Sequence, residues 1–71
     1  MEAIEFRINE PSAVTGRMLK DLKLKKGLLI AFINRDGSIL TPTGNDTIEV
    51  GDTVMLVTTH TGLNDIRDIL A

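Results

Sequence analysis

Four groups of side chains in this 71-residue sequence carry chemistry beyond packing. Arg35 stands between an apolar run and an Asp-Gly pair, so its guanidinium is presented at the end of an extended segment. A planar fork of five donors grips a phosphate or carboxylate, whether a ligand's or one across an interface. The same fork also pairs with acids of its own chain, and Asp36 and Asp52 are the candidates. Asp46, Glu49 and Asp52 place three carboxylates within seven residues, oxygen ligands of the kind a hard cation takes. They lack the Asp-x-Asp-x-Asp-Gly spacing of a calcium loop, and Asp46 and Asp52 stand where acids bond the backbone of their own turns. His60 is the only histidine and there is no cysteine. A lone imidazole makes neither a zinc site nor, with no nucleophile beside it, a triad. No metal centre and no enzyme are therefore expected. Lys20, Lys23, Lys25 and Lys26 form the only basic cluster, interrupted by Asp21. It reads as a solvated face, with lipid head groups or an acidic partner as the functional alternative.

The remaining composition narrows the classes further. With a net charge of −2 and only Phe6 and Phe32 as aromatics, the chain offers neither a basic surface nor a stacking platform, so no nucleic acid is expected. No apolar run approaches the roughly 18 residues of a membrane-spanning helix, so no direct membrane span is expected. Met1-Glu2-Ala3-Ile4-Glu5 has neither the basic start nor the apolar stretch of a signal peptide, and the lack of cysteine fits a cytoplasmic setting. A chain this short buries only about 60% of the surface its unfolded form exposes. Without a disulfide or structural zinc, self-association is the remaining common source of stability, and a homodimer is expected. Its interface is expected near Leu28 to Thr41, with Ile39 and Thr41 in it, where two Arg35 side chains would approach a shared cleft.

The elements that must position these groups follow from periodicity. Ile4, Phe6 and Ile8 alternate with Glu5, Arg7 and Asn9, a half-buried strand that Pro11 stops. Ser12 predicts the cap of a helix to about Leu22, with Val14, Met18, Leu19 and Leu22 on one face. Gly16 inside that helix implies a close approach to the sheet. Leu28 to Ile33 is apolar on both faces, as in a central strand covered on both sides. Asn34-Arg35-Asp36-Gly37 predicts a hairpin, and the return strand is short because Pro42 cannot donate to a ladder. A brief extended piece follows at Ile48 and Val50, then a second strand apolar on both faces from Thr53 to Thr59. Thr61 predicts the cap of a last helix carrying Leu63, Ile66, Ile69 and Leu70, with Asp65 in its first turn. The expected fold is a single α/β domain of the α+β type over residues 1–71. Its order is β-α-β-β-β-α, with a mixed or antiparallel sheet and two helices.

The run from Gly27 through Arg35-Asp36-Gly37 to Pro42-Thr43-Gly44, then Gly51-Asp52 and the strand to Val57, resembles the TrkA C-terminal domain family. These are the C-lobes of RCK proteins that regulate potassium channels and transporters. Ser12, Gly16 and Leu19-Lys20-Asp21-Leu22 resemble the family's first helix, so the likeness runs from about Glu5 to Leu70. It implies a regulatory, ligand-sensing and dimerising module, or a purely structural dimerisation module with no ligand. It also implies a cytoplasmic place at the inner face of the membrane, reached through a membrane transport subunit, and a Rossmann-type domain elsewhere in the full protein. No Gly-x-Gly-x-x-Gly loop occurs in these residues, so no cofactor is expected here. Some relatives bind cyclic di-AMP between two C-lobes through adjacent aliphatics, Asp, Arg and Asn. Leu29, Ile30 and Arg35 match that pattern, whereas Ile33 and Thr41 replace the Asp and the Asn. The resemblance thus makes Leu29, Ile30 and Arg35 the ligand-binding candidates and leaves a small anion or nucleotide as the candidate ligand.

Overall fold

Alternation makes the first strand. Along Glu2–Arg7 (β1), Ile4 and Phe6 turn inward while Ala3, Glu5 and Arg7 face out. The computed structural model describes residues 1–71 and has three further strands, Leu28–Arg35 (β2), Ser38–Leu40 (β3) and Thr53–Thr58 (β4). All pair antiparallel in the order β1-β4-β2-β3, leaving β1 and β3 at the edges. The Asp-Gly signal delivers its hairpin. Asp36 at φ 53° and Gly37 at φ 82° supply the two left-handed residues that join Arg35 to its partner Ser38.

One face of the sheet carries the core. Val54, Leu56 and Thr58 of β4 lie beside Ile30 and Ile33 of β2, all buried. A layer of irregular chain packs onto them through Ile8, Val14, Leu22, Ile48, Ile66 and Ile69. The other face has no such layer. Leu29 is 66% exposed and Ile39 61%, with Phe32, Met55 and Val57 half-buried around them. The apolar runs of β2 and β4 are therefore covered on one side, not two. A register shift between Ile30 and Phe32 lets Ile30 and Ile33 share the inner face although three positions separate them.

The two expected helices do not form, so the protein is a mostly β fold rather than an α+β domain. Over Ser12 to Leu22 the backbone donors close short local turns or find partners across the chain, and none bonds four residues back. Gly16 N–H bonds Ile48 O at 3.0 Å, Leu19 N–H bonds Asp46 O at 2.9 Å and Lys20 N–H bonds Gly44 O at 3.0 Å. Gly16 has φ 74°, and a Cβ there would meet nothing within 4 Å, so it serves the turn and not a close approach. Only Leu19–Asp21 closes, as one 3-10 turn.

At the other end, Thr61 caps nothing. The cap is Asp65, whose side chain accepts from Arg67 N–H, while the Asp68 carboxylate takes Asp65 N–H at 3.1 Å. The resulting 3-10 turn, Ile66–Ile69, repeats every three residues and so stacks Ile66 and Ile69 on one buried side. Lys25 N–H to Ile69 O (2.9 Å) and Ala71 N–H to Lys23 O (2.7 Å) then stitch this end to the segment before β2.

Gly27 and Gly37 both hold positive φ, but their surroundings differ. A Cβ on Gly27 would lie 2.5 Å from Thr59 Oγ1, whereas one on Gly37 meets nothing within 4 Å. Gly37→Ala is expected to cost only the left-handed backbone penalty, about 1–2 kcal/mol. Gly27→Ala should cost that and the displacement of Thr59 as well. Urea midpoints measure the difference, and equal losses would show that Thr59 yields freely.

Candidate functional site

Arg35 ends β2 on the inner side, and Asp52 closes the turn that leads into β4. The two side chains meet in a forked pair. Arg35 Nε donates to Asp52 Oδ1 at 3.0 Å and Nη2 to Oδ2 at 2.8 Å. Nη2 also donates to Thr47 O at 2.9 Å, and Asp52 Oδ2 accepts from Glu49 N–H at 2.9 Å. The Asp52 side chain is 2% exposed and that of Arg35 37%, so the carboxylate is buried under a guanidinium that still reaches solvent. Hydrogen bonding from Arg35 holds the Asp52 carboxyl below its ordinary range; burial opposes this, and Glu49 N–H and the Arg35 charge add to it. The Arg35 pKa is raised, chiefly by the hydrogen bond to Asp52. Of the partners open to Arg35 in the sequence, the structure selects Asp52 and not Asp36.

The three clustered acids are each engaged locally. Asp46 accepts from Thr43 N–H at 2.6 Å, Glu49 accepts from the Thr47 hydroxyl, and Asp52 serves Arg35. Both aspartates bond their own turns as their positions suggest. No three His, Asp or Glu side chains come together in a metal-holding arrangement. His60 Nε2 lies against Lys26 O. A carbonyl only accepts, so the ring donates through Nε2 and, with Thr59 N–H on Gly27 O at 3.0 Å, pins the end of β4 to the start of β2. Within the lysine cluster, Lys25 Nζ bonds Asp68 O, while Lys20, Lys23 and Lys26 are exposed.

The remaining candidates are spread over the sheet. Leu29 faces out and Ile30 faces the core, so the two side chains point to opposite faces of the sheet. Ile39 is exposed on β3 and Thr41 is exposed just beyond it. A shallow groove of about 220 Å³ follows the free edge of β2 and includes Leu29, Ile30 and Pro42, but not Arg35. The partners that sequence reading missed are backbone groups, Thr47 O and Glu49 N–H. An acid three residues after Glu49, closing a Gly-Asp turn, was the signal that pointed to them.

Geometry of this kind defines a small β module whose one buried charged pair is satisfied within its own fold. The chain belongs to the TrkA-C domain family, whose model matches residues 3–71. Among similar curated proteins is a Trk system potassium uptake protein TrkA homolog of Pyrococcus abyssi, 31% identical over 70 residues. That match covers 97% of this chain and 31% of the relative. A homolog of the same name from Archaeoglobus fulgidus is 37% identical over 57 residues, 80% of this chain and 13% of the relative. The Trk system potassium uptake protein TrkA of Azorhizobium caulinodans is 36% identical over 55 residues, covering 78% and 12%. The chain thus spans under a third of the length of these relatives.

The lowered pKa of Asp52 sets an acid dependence. Its stabilisation is complete above the unfolded carboxyl value, about 4, and is lost as pH falls from there through the lower folded value. Asp65, also lowered, by its hydrogen bond from Arg67, remains in an Asp52→Asn variant, so the difference between the two proteins isolates Asp52. The native chain is expected to lose stability more steeply than Asp52→Asn below about pH 4. Parallel urea curves at pH 7 and pH 3 would contradict this.

Proposed function

We propose that this chain is a regulatory dimerisation module of a prokaryotic potassium channel or transporter. The reading combines the family and its potassium-uptake relatives with one observation: the outer face of the sheet carries Leu29, Ile39, Phe32, Met55 and Val57 with no layer over them. Contiguous apolar surface of this kind marks an interaction site in a stable protein. A second copy covering the region from Leu28 to Thr41 would bury part of it, with Ile39 and Thr41 in the interface. In the full protein the module would work beside a Rossmann-type domain, at the cytoplasmic face, on a membrane transport subunit. No helix of this chain is long and apolar enough to cross a membrane.

Ligand sensing is the second reading, and Arg35 is its only polar support. Nε and Nη2 are committed to Asp52 and Thr47, leaving Nη1 with no bond inside the chain, on a side chain that is 37% exposed. Ile33, which stands where cyclic di-AMP-binding relatives carry Asp, is fully buried and carries no polar group. A ligand would regulate only if it bound two dimer geometries with different affinity.

Sedimentation equilibrium is expected to give roughly twice the chain mass of 7.8 kDa, and Ile39→Lys should shift the balance towards monomer. A monomer at high micromolar concentration would refute the dimer. Thermal melting against nucleotides, phosphate and divalent cations separates the two readings. A ligand at 100 times its Kd stabilises by about 2.7 kcal/mol, and no shift with any of them supports the ligand-free module.

A further inference from the structure

The net charge of −2 conceals a strong asymmetry along the chain. Residues 17–26 hold five of the eight cations, Arg17, Lys20, Lys23, Lys25 and Lys26, against one acid, Asp21. The rest of the chain holds three cations and nine acids. Folding does not let the two parts cancel. Asp46, Glu49, Asp65 and Asp68 are engaged in their own turns and Asp52 by Arg35. The two ion pairs, Arg35–Asp52 and Arg67–Asp65, use no residue of the basic segment. Of its cations only Lys25 is spent, with Nζ on Asp68 O, while the Asp68 carboxylate takes Asn64 and Asp65 N–H. Arg17, Lys20, Lys23 and Lys26 are exposed, with no side-chain bond inside the chain. The backbone beneath them is held from several sides. Lys20 N–H bonds Gly44 O, Lys25 N–H bonds Ile69 O, Lys23 O accepts from Ala71 N–H and Lys26 O from the His60 ring. Arg17, Leu22 and Lys23 line a groove of about 310 Å³, and Leu19, Lys20 and Leu24 line a different one. The segment is thus a ridge with cations on both slopes. Met18, 42% exposed, adds an apolar side chain to the same stretch.

We propose that residues 17–26 form a contact surface for anionic lipid headgroups. Four free cations reach the number at which a basic cluster binds an acidic bilayer surface, each Lys or Arg near it tightening binding about fivefold. A ridge suits a flat surface better than it suits a peptide, which needs a cleft. The identity of the cations agrees. Three of the four are lysines, hydrated point charges on flexible stems, and no neighbour fixes their direction. A single carboxylate on a protein partner is gripped by an arginine fork held in place, the arrangement this chain builds between Arg35 and Asp52. Mobile lysines answer instead to a diffuse layer of phosphates. Met18 supplies an apolar group to enter the headgroup layer beside them. The nine acids elsewhere are repelled by the same layer, so the asymmetry also orients the module on it. The surface uses none of the residues assigned to dimerisation and does not rest on that reading.

Co-sedimentation with vesicles tests the proposal. At low salt the chain is expected to bind vesicles of equal phosphatidylglycerol and phosphatidylcholine at least roughly tenfold more tightly than vesicles of phosphatidylcholine alone. It should come off at about 1 M salt, where the screening length falls to about 3 Å. Lys20→Glu combined with Lys23→Glu should weaken binding at least about twentyfold, whereas Lys20→Arg with Lys23→Arg retains it. Both double variants are expected to keep the urea midpoint and sedimenting mass of the native chain, because neither side chain makes a bond in the fold. Equal binding to the two kinds of vesicle would place the contact on the apolar sheet face and overturn the proposal. Full binding by the charge-reversed variant would overturn it as well. Retention on polyglutamate with no binding to either vesicle would assign the cations to an acidic protein instead. A monomeric native chain that binds the anionic vesicles would remove the dimer alone, and a dimer that ignores them would remove this surface alone.

Discussion

The forked pair between Arg35 and Asp52 is the constraint on which the rest of this small structure depends. It ties the end of β2, at the mouth of the hairpin, to the turn that feeds β4. Through Thr47 O and Glu49 N–H it also shapes the stretch between β3 and β4, which has no helix or strand of its own. That stretch delivers Ile48, fully buried, into the centre of the core and bonds Gly16 through its carbonyl. Ile8 is tied in as well, its N–H on Asp52 O and its carbonyl accepting from Gly51. With no disulfide and no α-helix, these polar links replace what longer elements supply elsewhere. The energetic weight is intermediate. Hydrogen bonds to charged groups contribute about 1.5–3 kcal/mol, and the partial exposure of Arg35 keeps the pair below a fully buried one.

The same links explain why one face of the sheet is finished and the other is not. All irregular segments, before β2, between β3 and β4 and after β4, fold onto the inner side, where Asp52, Thr58 and the aliphatic core lie. None is left for the outer side. A short chain thus completes one core and presents the back of its central strands, together with the unpaired edge of β2, to whatever it assembles with. By contrast, the exposed pair Arg67–Asp65 is a surface contact that shapes a cap and carries little else.

Strands were legible in the sequence because their signals are local. Ile4-x-Phe6 gives period two, Leu28 to Ile33 and Val54 to Val57 are too apolar and β-branched for a loop, and Asp36-Gly37 dictates its turn. The helices were misread because the spacing of Leu63, Ile66 and Ile69 fits a 3-10 turn as well as an α-helix. Val14 and Leu22 are buried without belonging to any helix. What decided both cases was non-local: Gly16 and Lys20 find acceptors at Ile48 and Gly44, and Ile69 O and Ala71 N–H bond Lys25 and Lys23, partners that no local window contains. The facing of Leu29 and Ile30 was likewise hidden. An apolar run does not say which of its sides is covered, and the shift after Ile30 changes the alternation midway. For the candidate site, Asp52 was visible as one of two acids open to Arg35, but the choice between them required the fold.

A double-mutant cycle on the forked pair tests this account most directly. Arg35→Ala, Asp52→Ala and the double variant are unfolded in urea at pH 7, and the coupling energy is taken from the three losses. The account predicts a coupling of about 1.5–3 kcal/mol, with Arg35→Ala alone costing much of it because Asp52 is left buried with only Glu49 N–H. Single losses that add, with coupling under about 0.5 kcal/mol, would show that the turn before β4 holds its shape without the pair.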